Sequence, residues 1–134
     1  MKRTAGVTGI VIITHGQIGR SFIEVAEFIL GESLDAVRFL PFRQSAMQET
    51  GDEELRRAIG EANQGQGVLV LTDIGGASPC NYVTRVLESS DATMVSGINL
   101  AMLIRAWNYR EKPPSQLTRI AAEGAIRDIK EYKK

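Results

Sequence analysis

The stretch Gly9-Ile10-Val11-Ile12-Ile13-Thr14-His15-Gly16 decides the fold. Ile10 to Ile13 are all apolar and β-branched, with no polar alternation. A short continuous run of this kind reads as a strand buried on both faces. From Ile18 to Leu30 the pattern changes to helical spacing, with Ile18, Phe22, Val25, Ala26 and Ile29 on one side, and Gly31 stands where a helix C-cap belongs.

Working outward, the same alternation repeats. Val37 to Leu40, closed by Pro41, is a weaker strand candidate, and a polar helix follows at roughly Met47 to Asn63. Val68-Leu69-Val70-Leu71-Thr72 is a second strongly buried strand, ending at Asp73 and a Gly-rich turn, Ile74 to Pro79. A helix is expected near Pro79, with Ser78 as its N-cap. Ala92 to Ser96 reads as another strand and Leu100 to about Tyr109 as a helix. After Pro113-Pro114, a last helix is expected from Ser115 to about Tyr132, with Leu117, Ile120, Ala121, Ile126 and Ile129 inward. The sequence therefore predicts an α/β fold: a three-layer, doubly wound sheet of about four parallel strands with helices on both faces.

The 134 residues fit a single domain spanning 1–134. With 43% hydrophobic and 24% charged residues, the composition is that of an ordinary globular chain. Sixteen basic residues balance sixteen acidic ones, so no global basic field calls for nucleic acid. Cys80 stands alone and no Cys/His cluster offers a metal site, which points to a reducing cytoplasm. Ile10 to Ile13 is too short for a secretory h-region or a membrane span.

In open parallel sheets, chemistry collects beyond the carboxyl ends of the strands. That rule singles out Thr14 to Gln17, Asp73 to Asn81, and Ser96 to Asn99. His15 is the chain's only histidine. Neutral imidazole is a nucleophile suited to reversible phosphoryl transfer, and a following helix N-terminus favours a phosphoryl dianion. Gly16 permits close backbone approach. A lone surface or core histidine is the plainer alternative. Asp73 would lie beside His15 if the two buried strands are neighbours, fixing the imidazole tautomer; otherwise it is a turn residue. The turn through Gly76 and Ser78 can form an anion-binding nest, with Ser78 as donor or helix cap. No Lys follows the glycines, so this is not a P-loop. Thr14 and Asn99 also stand at strand ends. Arg20 is a candidate for a partner or a phosphate, Cys80 for a small buried residue, and Trp107 and Tyr109 for packing or an interface.

These segments together resemble the mannose-type IIA component of the bacterial phosphoenolpyruvate-dependent sugar phosphotransferase system. The resemblance rests on Ile13-Thr14-His15-Gly16, on Asp73-Ile74-Gly75-Gly76-Ala77-Ser78-Pro79-Cys80-Asn81, and on Gly97-Ile98-Asn99-Leu100-Ala101-Met102-Leu103. It covers about residues 8 to 130. It implies that His15 is phosphorylated, on Nε2, with Asp73 as its orienting partner, and that Ser78 and nearby backbone amides help hold the phosphoryl group; from their places at strand ends and in glycine turns, Thr14, Gly16, Gly76 and Asn99 are further candidates for phosphoryl contacts. It implies HPr as donor, a IIB component as acceptor and a homodimer, while the residues themselves call for no metal or cofactor, since backbone dipoles can balance the charge. The chain departs from some members in having Ile13 before Thr-His-Gly and Gly75 in the Asp loop. A phosphohistidine subunit of a dihydroxyacetone kinase, a regulatory module switched at His15, and a small-molecule-binding domain without transfer chemistry are the alternatives. The Asp73 loop favours the mannose type over the first of these.

Overall fold

In the computed structural model, residues 6–42, 49–74, 84–88 and 90–133 are described. Expectations for the nest at Gly76 and Ser78, the helix start near Pro79, and Cys80 fall outside them.

The elements run β1 (Gly9–His15), α1 (Ile18–Leu30), β2 (Arg38–Phe42), α2 (Glu49–Ala62), β3 (Val68–Thr72), β4 (Ala92–Ser96), α3 (Leu100–Asn108) and α4 (Pro114–Arg127). Residues 84–87 add a helical turn between β3 and β4. All three pairings are parallel, in the order β2-β1-β3-β4. The two β-branched, continuously apolar runs are the central strands, and β3 is buried throughout. β1 is buried until it emerges at His15. The edge strands β2 and β4 are half-buried.

Alternate strand residues feed two cores, as the pleat requires. Ile10, Ile12, Leu69 and Leu71 pack under α1, α3 and α4. Val11, Ile13, Val68 and Val70 pack under α2 and Val86. This is the expected three-layer α/β arrangement. The chain passes from β1 to β2 on one side and reaches β3 on the other, so the sheet's switch point lies between the ends of β1 and β3.

Three expectations need correction. β2 does not stop before Pro41 but runs through it to Phe42. Proline is tolerated because β2 is an edge strand, paired among the described residues only with β1. The inner face of α1 is Gly19, Ile23 and Ala26, whereas Ile18, Val25 and Ile29 are exposed. Opposite the polar side of Arg20, Ser21, Glu24 and Glu27, the apolar arc of the helix is wider than the face the sheet covers, so periodicity alone does not choose which part is buried. The small residues mark where it meets the sheet: a Cβ on Gly19 would lie 2.5 Å from the Phe39 ring. Finally, α4 ends at Arg127 rather than near Tyr132, leaving Ile126, Ile129 and Tyr132 exposed. Short helices in water depend on tertiary packing, and those side chains have little to pack against.

Candidate functional site

His15 is the last residue of β1 and its imidazole is half exposed. Asp73 follows β3 directly. Because β1 and β3 pair in register, Ile13 opposite Thr72, the two side chains meet at the switch point. The His15 backbone N–H donates to Asp73 Oδ2 at 2.9 Å, and His15 Nδ1 lies 3.0 Å from the same oxygen. Asp73 Oδ1 accepts from the Ile74 N–H at 2.9 Å. The Asp73 carbonyl accepts from the Gly97 N–H at 2.8 Å, and the Thr72 carbonyl from the Ile98 N–H at 2.9 Å. The loop after β4 therefore braces the residue that braces His15.

Burial pushes the Asp73 carboxyl pKa up, but hydrogen bonds from the His15 backbone, the His15 imidazole and Ile74 outweigh it. The net result is a carboxyl held below its ordinary 3.8. An ionised carboxylate only accepts hydrogen bonds, so Nδ1 of His15 must donate. In the neutral imidazole this leaves the lone pair on Nε2, the nitrogen remote from Asp73.

Gly16 turns the chain from β1 into α1 at φ +52°, a left-handed value that L side chains rarely adopt. Thr14 is fully buried, and its Oγ1 accepts from the Gly19 N–H at 2.9 Å. It thereby ties the first turn of α1 to the end of β1. Asn99 caps α3, its Oδ1 accepting from Met102 N–H at 2.8 Å, while its Nδ2 donates to the Ala125 carbonyl at 3.2 Å. The polar atoms of Thr14 and Asn99 are thus engaged within the scaffold. Gly76 and Ser78 lie outside the described residues. The Arg20 guanidinium rests over the Phe39 ring, 5.3 Å from its centroid.

The sequence reading missed Phe42. It pairs with His15 across β1 and β2, and its ring meets the imidazole edge-on, with centroids 5.4 Å apart and planes at 64°. The available signal was the register of β2, hidden by ending that strand before Pro41.

Two surface grooves lie on the helices around Leu100. One of about 210 Å³ is wholly apolar and is lined by Ile18, Ser21, Phe22, Val25 and Leu100. A wider one of about 610 Å³ lies between α3 and α4 and shares no residue with the His15 cluster.

The sequence model for the EIIA-man family, PTS system fructose IIA component, matches residues 9–120. The chain belongs to the EIIA-man family. It is 31% identical over 127 residues to the PTS system mannose-specific EIIAB component of Escherichia coli K12, covering 92% of this chain and 39% of that protein. The chain thus spans about two fifths of the length of that relative. It is 27% identical over 103 residues to the PTS system fructose-specific EIIA component of Bacillus subtilis, covering 76% of this chain and 70% of that one. Among solved structures, the mannose/sorbose-specific IIA subunit from Enterococcus faecalis superposes with a TM-score of 0.83 at 19% identity, covering 96% of both chains. That likeness establishes the EIIA-man fold. Among the described residues, no helix is long and apolar enough to cross a membrane.

Proposed function

We propose that this EIIA-man chain is a phosphocarrier: His15 accepts a phosphoryl group from phospho-HPr and passes it to a IIB component. The observation that carries the reading is the double hydrogen bond from His15 to Asp73 Oδ2, at 2.9 and 3.0 Å. It leaves Nε2 as the free nucleophile on a half-exposed ring at the sheet's switch point.

In this mechanism the Nε2 lone pair attacks phosphorus in line with the donor's N–P bond. The new N–P bond forms as the old one breaks, and the donor imidazole leaves with the electron pair. Asp73 takes no proton; its negative charge offsets the imidazolium formed on His15. First-turn amides of α1, together with Gly16, Gly76 and Ser78, balance the phosphoryl charge. Thr14 and Asn99 contribute by holding helix ends. Transfer to the IIB component is the same step reversed. The reaction as written needs no metal or cofactor.

The exposed apolar face of α1 begins at Ile18, three residues after His15, and supports docking of HPr there. The open edge of β4, beside exposed Ile126 and Ile129, supports a homodimer. The reading places the protein in the cytoplasm, with its phosphoryl donor. The test is incubation with phosphoenolpyruvate, enzyme I and HPr, followed by intact mass. Wild type gains one acid-labile phosphoryl group and His15→Ala gains none; labelling that survives in His15→Ala overturns the reading.

A further inference from the structure

Asp73 alone does not fix the His15 ring. A single side-chain hydrogen bond holds the Nδ1 edge but leaves the imidazole free to tilt about the Nδ1 to Oδ2 line. The backbone N–H bond to the same oxygen fixes the carboxylate rather than the ring plane. The remaining freedom is limited by Phe42, whose ring lies 5.4 Å away at 64°. Phe42 is well placed for this. It is paired with His15 in the parallel register, and it is half-buried against the core under α2.

We propose that Phe42 is a positioning residue for phosphoryl transfer. It sets the plane of the His15 imidazole and thereby the direction of Nε2. Edge-to-face aromatic contacts favour this arrangement. Loss of such a contact corresponds to about a five-fold change in rate. The inference rests on the phosphocarrier reading of His15, and it assigns Phe42 no contact with the phosphoryl group.

Rapid-quench transfer from phospho-HPr, at varied donor concentration, separates the saturating rate from half-saturation. Phe42→Leu keeps apolar bulk and removes the π system; Phe42→Tyr keeps both. The expected result is a saturating rate about five-fold lower in Phe42→Leu and near wild type in Phe42→Tyr, with half-saturation unchanged in each. A Phe42→Leu enzyme with the wild-type saturating rate overturns the proposal. So does a variant altered only in half-saturation, which would make Phe42 a partner contact. Ring order of His15, measured by carbon relaxation on the unphosphorylated protein, reads positioning without any transfer. Looser His15 motion in Phe42→Leu supports the proposal and unchanged motion overturns it. Should wild type take up no phosphate, the phosphocarrier reading fails by itself, and the ring-order measurement still decides whether Phe42 positions His15.

Discussion

His15 grips one oxygen of Asp73 twice, through its backbone N–H at 2.9 Å and through Nδ1 at 3.0 Å. Side chain and main chain of one residue thus close a ring through a single carboxylate oxygen. The other oxygen is held by Ile74 N–H. Neither carboxylate oxygen is left to wander, and the imidazole tautomer follows from that.

The first consequence concerns Asp73→Asn. An amide can present its NH₂ group to Nδ1, which permits the other tautomer and removes the charge that offsets imidazolium. Transfer should fall about 10²-fold or more, with the fold retained. Rapid-quench phosphorylation measures the first, and circular dichroism with urea unfolding the second. An unchanged rate would remove Asp73 from the mechanism.

A second prediction concerns acid. Asp52 is held below the ordinary carboxyl value of 3.8, first by its side-chain hydrogen bond to Arg85 and against the upward push of burial. The Arg85 fork spans both Asp52 oxygens, at 2.8 and 3.2 Å, and links α2 to residues 84–87. Asp73 is shifted in the same direction. A carboxyl depressed in the folded state stabilises the fold fully above its unfolded pKa. That stability drains away as pH falls through the folded value. Urea unfolding should therefore show stability falling below about pH 4, and Asp52→Asn should flatten part of that fall. Arg85 is half exposed, so solvent keeps the Asp52 share small, about 0.5 kcal/mol.

Thr14→Val tests the tie between β1 and α1. The replacement keeps the shape but leaves the Gly19 N–H without its acceptor in a buried place. The expected loss is about 1–2 kcal/mol by urea unfolding. The rate of phosphorylation should fall with it as the first turn of α1 loosens. Wild-type stability in this variant would show that another acceptor replaces Thr14.

For HPr docking, the informative change is Ile18→Ser. Ile18 is 50% exposed, so stability should change by less than about 0.5 kcal/mol. Half-saturation for phospho-HPr should rise about ten-fold, with the saturating rate preserved. If half-saturation does not move, HPr docks elsewhere.

Much of this was legible in the chain. The bounds of α1, β3 and β4 follow from runs that admit one reading. The meeting of His15 and Asp73 follows from a general rule about parallel sheets. What failed had physical causes. Pro41 looks like a strand breaker until one knows that β2 lies at an edge. The apolar residues of α1 outnumber those that one buried face can use, so spacing alone pointed to Ile18, Val25 and Ile29. Phe42 was invisible because cross-strand register is a tertiary fact. The hydroxyl of Thr14 and the amide of Asn99 looked like ligand contacts from their strand-end positions. Only the structure shows them engaged in fastening helix ends.

On the proposed reading, the nucleophile and its orienter come from the ends of the two innermost strands, and the groups that would greet a partner come from helix surfaces and loops. Chemistry and recognition are therefore written on different parts of the architecture. Substitutions at Ile18, Val25 or Phe28 can retune which carrier docks without shifting the His15 to Asp73 spacing, because β1 and β3 set that spacing between them. A chain built this way can change clients over generations while keeping the same reaction, and in the laboratory its partner choice should be open to redesign from the outer face of α1 alone.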